Sequence, residues 1–114
     1  MLKKQYRLTK RKSFNYIYRV GKIKSGENII INYTPTKLNN CKVGFSVSKK
    51  IGKAHLSNKI KRQLREAVKN LLPRLNQKHN YIISAKPSII DKSFNKISEE
   101  LFQILNKCGM IVNE

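Results

Sequence analysis

Apolar and polar residues alternate along this chain with two different periods, which predicts a mixed structure of strands and helices. In residues 42–48 every second position is apolar, as is typical of a half-buried strand. Residues 28–34 are rich in β-branched side chains and are followed by Pro35, which breaks a strand. We predict strands at residues 23–24, 28–34, 42–48 and 80–85.

Three segments have the spacing or end signals of helices. Ser13 is a candidate cap for a short helix that ends at Gly21. A second helix is predicted over residues 56–72, and a third over residues 91–107, where apolar residues recur at helical spacing. This order predicts one domain, 1–114, with an α/β (α+β) two-layer sandwich fold: a sheet of about four strands, covered on one face by the last two helices. The strands at 42–48 and 80–85 flank a helix, as in a βαβ unit, whose crossover is right-handed in most proteins.

The second predicted helix is divided into a cationic face and an apolar face. At about 100° per residue, a polar group of residues falls within about 60° of Asn58, and the apolar residues cluster on the other side. The polar group is Asn58, Lys61, Arg62, Arg65 and Lys69. A helix divided in this way can bury one stripe and offer the other to a polyanion.

Composition indicates that this polyanion is nucleic acid. The chain has 25 Lys and Arg residues against six Asp and Glu, a net charge of +19, and repulsion of that size favours a counter-charged partner. No apolar run of about 18 residues could span a bilayer, and no apolar signal region is present at the start. We therefore expect a soluble cytoplasmic protein without a membrane partner. Cys41 and Cys108 are expected to be reduced.

Catalytic constellations are missing from the sequence. The six acidic residues are scattered, the two histidines are 24 positions apart, and no phosphate-binding glycine motif occurs. We expect no catalytic residues and no metal site in the protein itself.

The motif that follows the third predicted strand is specific. The run Phe45–Ala54, followed by Ser57–Arg62 and then Arg65–Glu66, resembles the strand–loop–helix signature of the bacterial ribonuclease P protein subunit. The resemblance covers nearly the whole chain. Its other matching positions are Arg7 and Leu8, Phe14 and Tyr18, Tyr33 and Thr34, and Ala85 to Pro87.

The sequence departs from the family at the start of the basic helix, where the family usually has Arg-Asn-Arg. Here Ser57 replaces the first arginine and Lys59 the second. Lysine keeps the charge but loses the planar fork that binds phosphate bidentately, whereas serine loses the charge and can only cap the helix.

The resemblance implies an accessory protein of a large catalytic RNA, which removes 5′ leaders from precursor tRNA using its own Mg²⁺ ions. The protein is then a subunit of an endoribonuclease, a monomer in a one-to-one complex with the RNA, and its partners are that RNA and precursor tRNA. The family fold also implies a left-handed crossover.

By the same resemblance the candidate residues form two groups. Those expected to dock on the catalytic RNA are Lys49, Lys50, Lys53, Asn58, Lys59, Lys61, Arg62, Arg65 and Lys69. Those expected to form a cleft for the single-stranded leader are Lys10, Arg11, Lys12, Phe14, Tyr18, Tyr33, Ser46, Ser48 and Lys86. Charge combined with aromatic stacking is how single strands are held.

Two other functions fit the composition. A ribosomal-type or chaperone-like RNA-binding protein would explain the charge equally well, but would not need a leader cleft. A self-sufficient nuclease would need the carboxylate cluster that the sequence lacks.

Overall fold

The computed structural model describes residues 2–112, which form a four-stranded sheet with three α-helices. The helices are α1 (Arg11–Val20), α2 (Ala54–Leu71) and α3 (Phe94–Lys107). The strands are β1 (Lys22–Ser25), β2 (Ile29–Pro35), β3 (Val43–Val47) and β4 (His79–Ala85). Single turns of 3₁₀ helix lie at Lys4–Tyr6, Lys49–Ile51, Leu72–Arg74 and Pro87–Asp91.

The strands lie in the order β1-β2-β4-β3. β2 is antiparallel to both of its neighbours, and β3 is parallel to β4. The predicted sheet of about four strands and the βαβ unit formed by β3, α2 and β4 are therefore confirmed. The left-handed crossover stays a prediction.

The main core lies between the sheet and the two long helices, as the sequence predicted. Tyr81 and Ile83 of β4 are fully buried there, and so are Ile29 and Ile31 of β2. Helix α2 buries the apolar stripe that its spacing predicts: Ile60, Leu64, Ala67 and Val68. Helix α3 buries Ile97, Leu101, Ile104 and Leu105. This packing leaves the cationic face of α2 turned away from the sheet.

Helix α1 packs on the opposite face of the sheet. Its buried residue Ile17 contacts Ile82 of β4 and Leu8 of the N-terminal segment, with Phe14 partly buried beside them. Since Ile82 alternates with Tyr81 and Ile83 along β4, it projects to the other side. Part of this second face is thus covered, and the rest is open to a ligand.

The N-terminal segment runs along the outer edge of β3. Arg7 forms a parallel bridge with Val43, and the Leu8 N–H donates to the Val43 carbonyl at 3.0 Å. This extended arrangement holds the basic start of α1 next to β3.

Three helix boundaries differ from their predictions. Ser13 lies inside α1, where Lys10 is the N-cap residue without a side-chain hydrogen bond, so the predicted Ser13 cap is wrong. Helix α2 begins earlier than predicted, at Ala54. Helix α3 begins later than predicted because Pro87–Asp91 forms a 3₁₀ turn. Ser93 caps α3, since its hydroxyl accepts from the Lys96 N–H at 3.2 Å.

A half-buried carboxylate connects α3 to the turn between β1 and β2. Glu100 accepts from the Asn28 backbone N–H at 2.8 Å and from the Asn28 side-chain amide at 2.7 Å. A Cβ on Gly26, in the same turn, would lie 2.5 Å from Ile104 and 2.8 Å from the Glu100 carboxylate. The turn therefore sits close against α3 because Gly26 has no side chain.

Replacing Glu100 by alanine is expected to lower the free energy of unfolding by about 1 to 3 kcal/mol, since a buried backbone donor loses its acceptor. Chemical denaturation followed by circular dichroism measures this change. Glu99→Ala is the matched control, because Glu99 is exposed on the same helix and the substitution removes the same charge. Equal losses for the two variants would show that the effect comes from net charge and not from the Asn28 contact.

Candidate RNA interface

A protruding basic loop joins β3 to α2. The Ser48 hydroxyl accepts from the Lys50 N–H at 3.2 Å and begins the 3₁₀ turn. The loop then turns at Gly52, whose φ of +87° lies in the left-handed region that glycine adopts readily. Lys49, Lys50 and Lys53 are exposed on this loop. The ammonium groups are thus held out into solvent by a defined backbone turn.

The cationic face of α2 continues from this loop. Its exposed members are Asn58, Arg62, Arg65 and Lys69, and Lys61 is half-buried. Lys59 is exposed beside this face. Within residues 2–112 the ion pair found is Lys92 with Asp91, at 4.0 Å, on another part of the surface. The positive charge of α2 is therefore not neutralised by carboxylates of the described chain, and phosphate groups can approach it.

Ser57 could cap α2 only if it stood at the start of the helix, and it does not. The helix starts at Ala54, and the Ser57 N–H donates to the Lys53 carbonyl at 3.1 Å within the first turn. Ser57 is half-buried. Its replacement of an arginine therefore removes a charge without adding a cap.

A groove joins the basic face of α2 to the start of α1. The Arg65 guanidinium lies 5.9 Å from the centre of the Phe45 ring, a cation–π arrangement. Arg65 and Lys61 of α2 line this groove of about 240 Å³ together with Phe14 of α1 and Arg7 of the N-terminal segment. The two predicted groups of residues thus meet at the β3 edge of the sheet.

The aromatic pair predicted on α1 is present. The Phe14 and Tyr18 ring centres are 6.5 Å apart with a 47° tilt, and Tyr18 is 44% exposed. Phe14 is half-buried against β3, where a Cβ on Gly44 would lie 2.4 Å from its ring. Gly44 therefore lets Phe14 sit close to the sheet, and Tyr18 remains available beside it.

Small polar residues continue the sheet surface beyond Gly44. Ser46 of β3 pairs with Ser84 of β4, which pairs in turn with Ile30 of β2, and all three are half-buried. Residues directly opposite each other in neighbouring strands share a face, and Ser46 shares the face of Gly44. Ser46, Ser84 and Ile30 thus form a shallow surface next to the aromatic pair, which we call the floor of the cleft.

Basic side chains lie at both ends of this surface. Lys10 and Arg11 are exposed at the start of α1, whereas Lys12, which was predicted with them, is exposed on the other flank of the helix, beside Tyr16. Lys86 follows β4, and its ammonium donates to the Gly26 carbonyl at 2.7 Å. Lys86 is thus tied to the β1–β2 turn, which fixes its charge at the far end of the floor.

Tyr33 lies on the other face of the sheet, so its predicted place beside Phe14 and Tyr18 is wrong. It pairs with Tyr81 in the register and packs against the main core beneath α3. Its ring centre is 6.2 Å from that of His79. Burial, and then Cys108, raise the pKa of Tyr33, while burial and the nearby charge of Lys22 lower the pKa of His79. Strand alternation explains the placement, because Tyr33 follows Ile31 by two residues.

Two residues at the site and one outside it were not among the sequence candidates. Arg7 and Phe45 line the groove with Arg65, and Tyr16 is exposed on the opposite flank of α1 from Phe14. Phe45 packs against the main core from the apolar side of β3, and only the strand order shows that β3 is an edge strand, where Arg65 also reaches the ring. The exposure of Tyr16 could have been found from its position about 100° from Ile17 on the α1 wheel.

Residues 2–112 contain no cluster of three or more His, Cys, Asp or Glu side chains with metal-binding geometry. Cys41 and Cys108 are free thiols, and burial raises the pKa of Cys41 to about 11. None of the helices between residues 2 and 112 combines the length and apolar character needed to cross a membrane.

Comparison with known proteins gives one consistent family. The family model for ribonuclease P matches residues 2–109. The "Ribonuclease P protein component" of Syntrophomonas wolfei is 34% identical over 110 residues, covering 96% of this chain and 92% of the relative. That of Symbiobacterium thermophilum is 30% identical and covers 99% of both chains. The solved structure of the Staphylococcus aureus RNase P protein superposes with a TM-score of 0.86 at 29% identity, covering 93% of this chain and 97% of that one.

Proposed function

The chain belongs to the ribonuclease P protein family, and from this premise we propose that it binds the catalytic RNA through α2 and the 5′ leader of precursor tRNA through α1. Members of this family are subunits of the holoenzyme that processes tRNA 5′ ends. The observation that carries the proposal is the groove at the β3 edge, where Arg65 of α2 and Phe14 of α1 line the same space.

Helix α2 and the loop before it supply the contact with the catalytic RNA. Their lysines and arginines project from two rigid elements, and carboxylates of the described chain do not compete for them. Each phosphate neutralised by such a side chain releases counterions, which makes binding steeply dependent on salt. This face recognises the RNA by its backbone and shape.

The surface beside α1 supplies the contact with the leader. Tyr18 presents an exposed ring for stacking with an unpaired base, and the floor of Ser46 and Ser84 leaves room for the strand. Lys10 and Arg11 at one end and Lys86 at the other attract the phosphates. Stacking platforms combined with charge hold single strands with little sequence preference, which suits leaders of varied sequence.

The protein contributes affinity and orientation, and the reacting groups belong to the RNA with its Mg²⁺ ions. This division of roles rests on the family. We place the complex in the cytoplasm, with one copy of the protein for each catalytic RNA.

Cleavage of precursor tRNA by the catalytic RNA, with and without this protein, tests the proposal. Mg²⁺ is held at a concentration where the RNA alone is slow, and the rate of release of the 5′ leader is measured. We expect the protein to increase that rate, because it binds both the RNA and the leader.

An absence of stimulation would contradict the proposal and would favour a ribosomal-type or chaperone-like RNA-binding role. Cleavage by the protein alone, without the catalytic RNA, would instead indicate a nuclease.

A further inference from the structure

A second groove lies on the opposite flank of α1 from the proposed leader surface. Angles around the helix axis are measured from Ile17, which faces the sheet. Phe14 and Tyr18 lie at about 60° and 100° on one side of Ile17. Ser13 and Tyr16 lie at about 40° and 100° on the other side. The second groove runs between this second flank and the end of β2, with a volume of about 370 Å³. Residues that line it include Lys12, Ser13, Tyr16, Thr36, Lys37 and Asn80.

The groove combines an exposed ring with positive charge. Tyr16 is 50% exposed, and the Arg19 guanidinium lies 5.8 Å from its ring centre. Lys12 and Lys37 are exposed on opposite walls, and none of the lining residues is acidic. Ile17 fills the contact between α1 and the sheet, and the exposed half of the Tyr16 side chain lies outside that contact.

Two hydrogen-bond donors in the groove lack a partner in the described chain. The Asn80 side-chain oxygen accepts from the Lys42 N–H at 3.0 Å, so its NH₂ group must point elsewhere. The Thr36 hydroxyl oxygen accepts from the Leu38 N–H at 3.2 Å, which leaves its hydrogen free to donate. Both donors suit the oxygen and ring-nitrogen acceptors of a nucleobase or the oxygens of a phosphate.

We propose that this groove binds an unpaired nucleotide of RNA, with its base stacked on Tyr16 and its phosphates held by Lys12 and Lys37. The ring suits a base, the lysines suit phosphate, and the free donors suit the polar edges of a nucleotide. The site is distinct from the leader surface, since α1 separates the two. An acidic peptide would satisfy the lysines but would leave the tyrosine ring without a stacking partner.

The absence of tryptophan from the chain allows a local test. In the full-length protein Tyr16→Trp places a single fluorescent ring in the groove, and stacking of a base quenches it. The control is Phe102→Trp on α3, where Arg74 lies 5.3 Å from the ring in a similar cation–π arrangement on the other side of the sheet. Both variants are titrated with a single-stranded RNA oligonucleotide, an RNA duplex and polyglutamate.

We expect saturable quenching of the Tyr16→Trp protein by the single strand and little change for Phe102→Trp. Adding Lys37→Ala is expected to reduce the salt slope of this signal by about 0.7, as for one phosphate of a single strand. Tyr16→Ala is expected to weaken binding of the oligonucleotide about 5-fold or more. No quenching by any RNA, or equal quenching by the duplex or by polyglutamate, would overturn the proposal.

Two further titrations identify the source of the nucleotide. Quenching by the catalytic RNA alone would assign it to that RNA, whereas quenching only when precursor tRNA joins the complex would assign it to the substrate. Failure of the protein to stimulate cleavage would leave the Tyr16→Trp signal unaffected, so this proposal and the proposed function can fail separately.

Discussion

Tyr18→Ala is expected to weaken binding of precursor tRNA with a long leader by about 1 to 3 kcal/mol, or 5- to 150-fold, the value of one base stacked on an aromatic ring. Binding of mature tRNA is expected to change little, since it has no leader. Tyr18 is 44% exposed and packs only against Phe14 among the aromatic rings, so the substitution leaves the core intact. The measurement is the affinity of the reconstituted holoenzyme for the two RNAs.

Two variants control this experiment. Tyr18→Phe keeps the ring and is expected to keep the preference for the long leader. Tyr33→Ala removes a ring from the opposite face of the sheet, where it packs against the main core, and is expected to lower stability without changing the preference. If Tyr18→Ala weakens both RNAs equally, or if Tyr33→Ala alone abolishes the preference, the leader does not stack on α1.

The double substitution Arg62→Ala with Arg65→Ala is expected to weaken binding of the catalytic RNA about 100-fold or more, since each charge-assisted hydrogen bond contributes about 1.5 kcal/mol or more. It also removes two phosphate contacts. The slope of log affinity against log salt is therefore expected to fall by about 1.4 to 1.8. Filter binding over a range of salt concentrations measures both quantities.

The double variant Lys96→Ala with Lys107→Ala is the matched control. It removes the same charge from exposed positions on α3, on the other helix of the core layer. A general effect of net charge would lower the affinity and the slope equally in both double variants. Such a result would show that the α2 face is not the specific contact.

Periodicity was sufficient to predict the elements that bury one clear stripe. In the second helix the apolar residues recur about every 3.6 positions, so they lie on one side of the helix. Ile60 and Leu64 are buried on that side, and the cations are exposed on the other. Helix ends were less accurate, because capping depends on local geometry: Ser13 is the type of residue that caps helices, but Ser93 is the one that does so.

Placement across the sheet could not be predicted from the sequence. Tyr33 is close in sequence to residues of the leader surface, yet its face depends on which side of β2 meets α3. Likewise, the alternation of β3 puts Phe45 on the apolar side of the strand, but only the strand order shows that β3 is at an edge, where Arg65 reaches the ring that packs against the core. Residue type and spacing predict what a side chain can do, whereas topology decides which side chains meet.

The two outer edges of the sheet affect how the protein behaves before it meets RNA. The N-terminal segment covers part of the β3 edge through Arg7 and Leu8, whereas β1 has a strand partner only on its β2 side. Two chains joining through β1 would bring their exposed residues Lys22 and Lys24 together, and like charges side by side oppose strand pairing. The charge that attracts RNA therefore also opposes association of unbound molecules through the β1 edge.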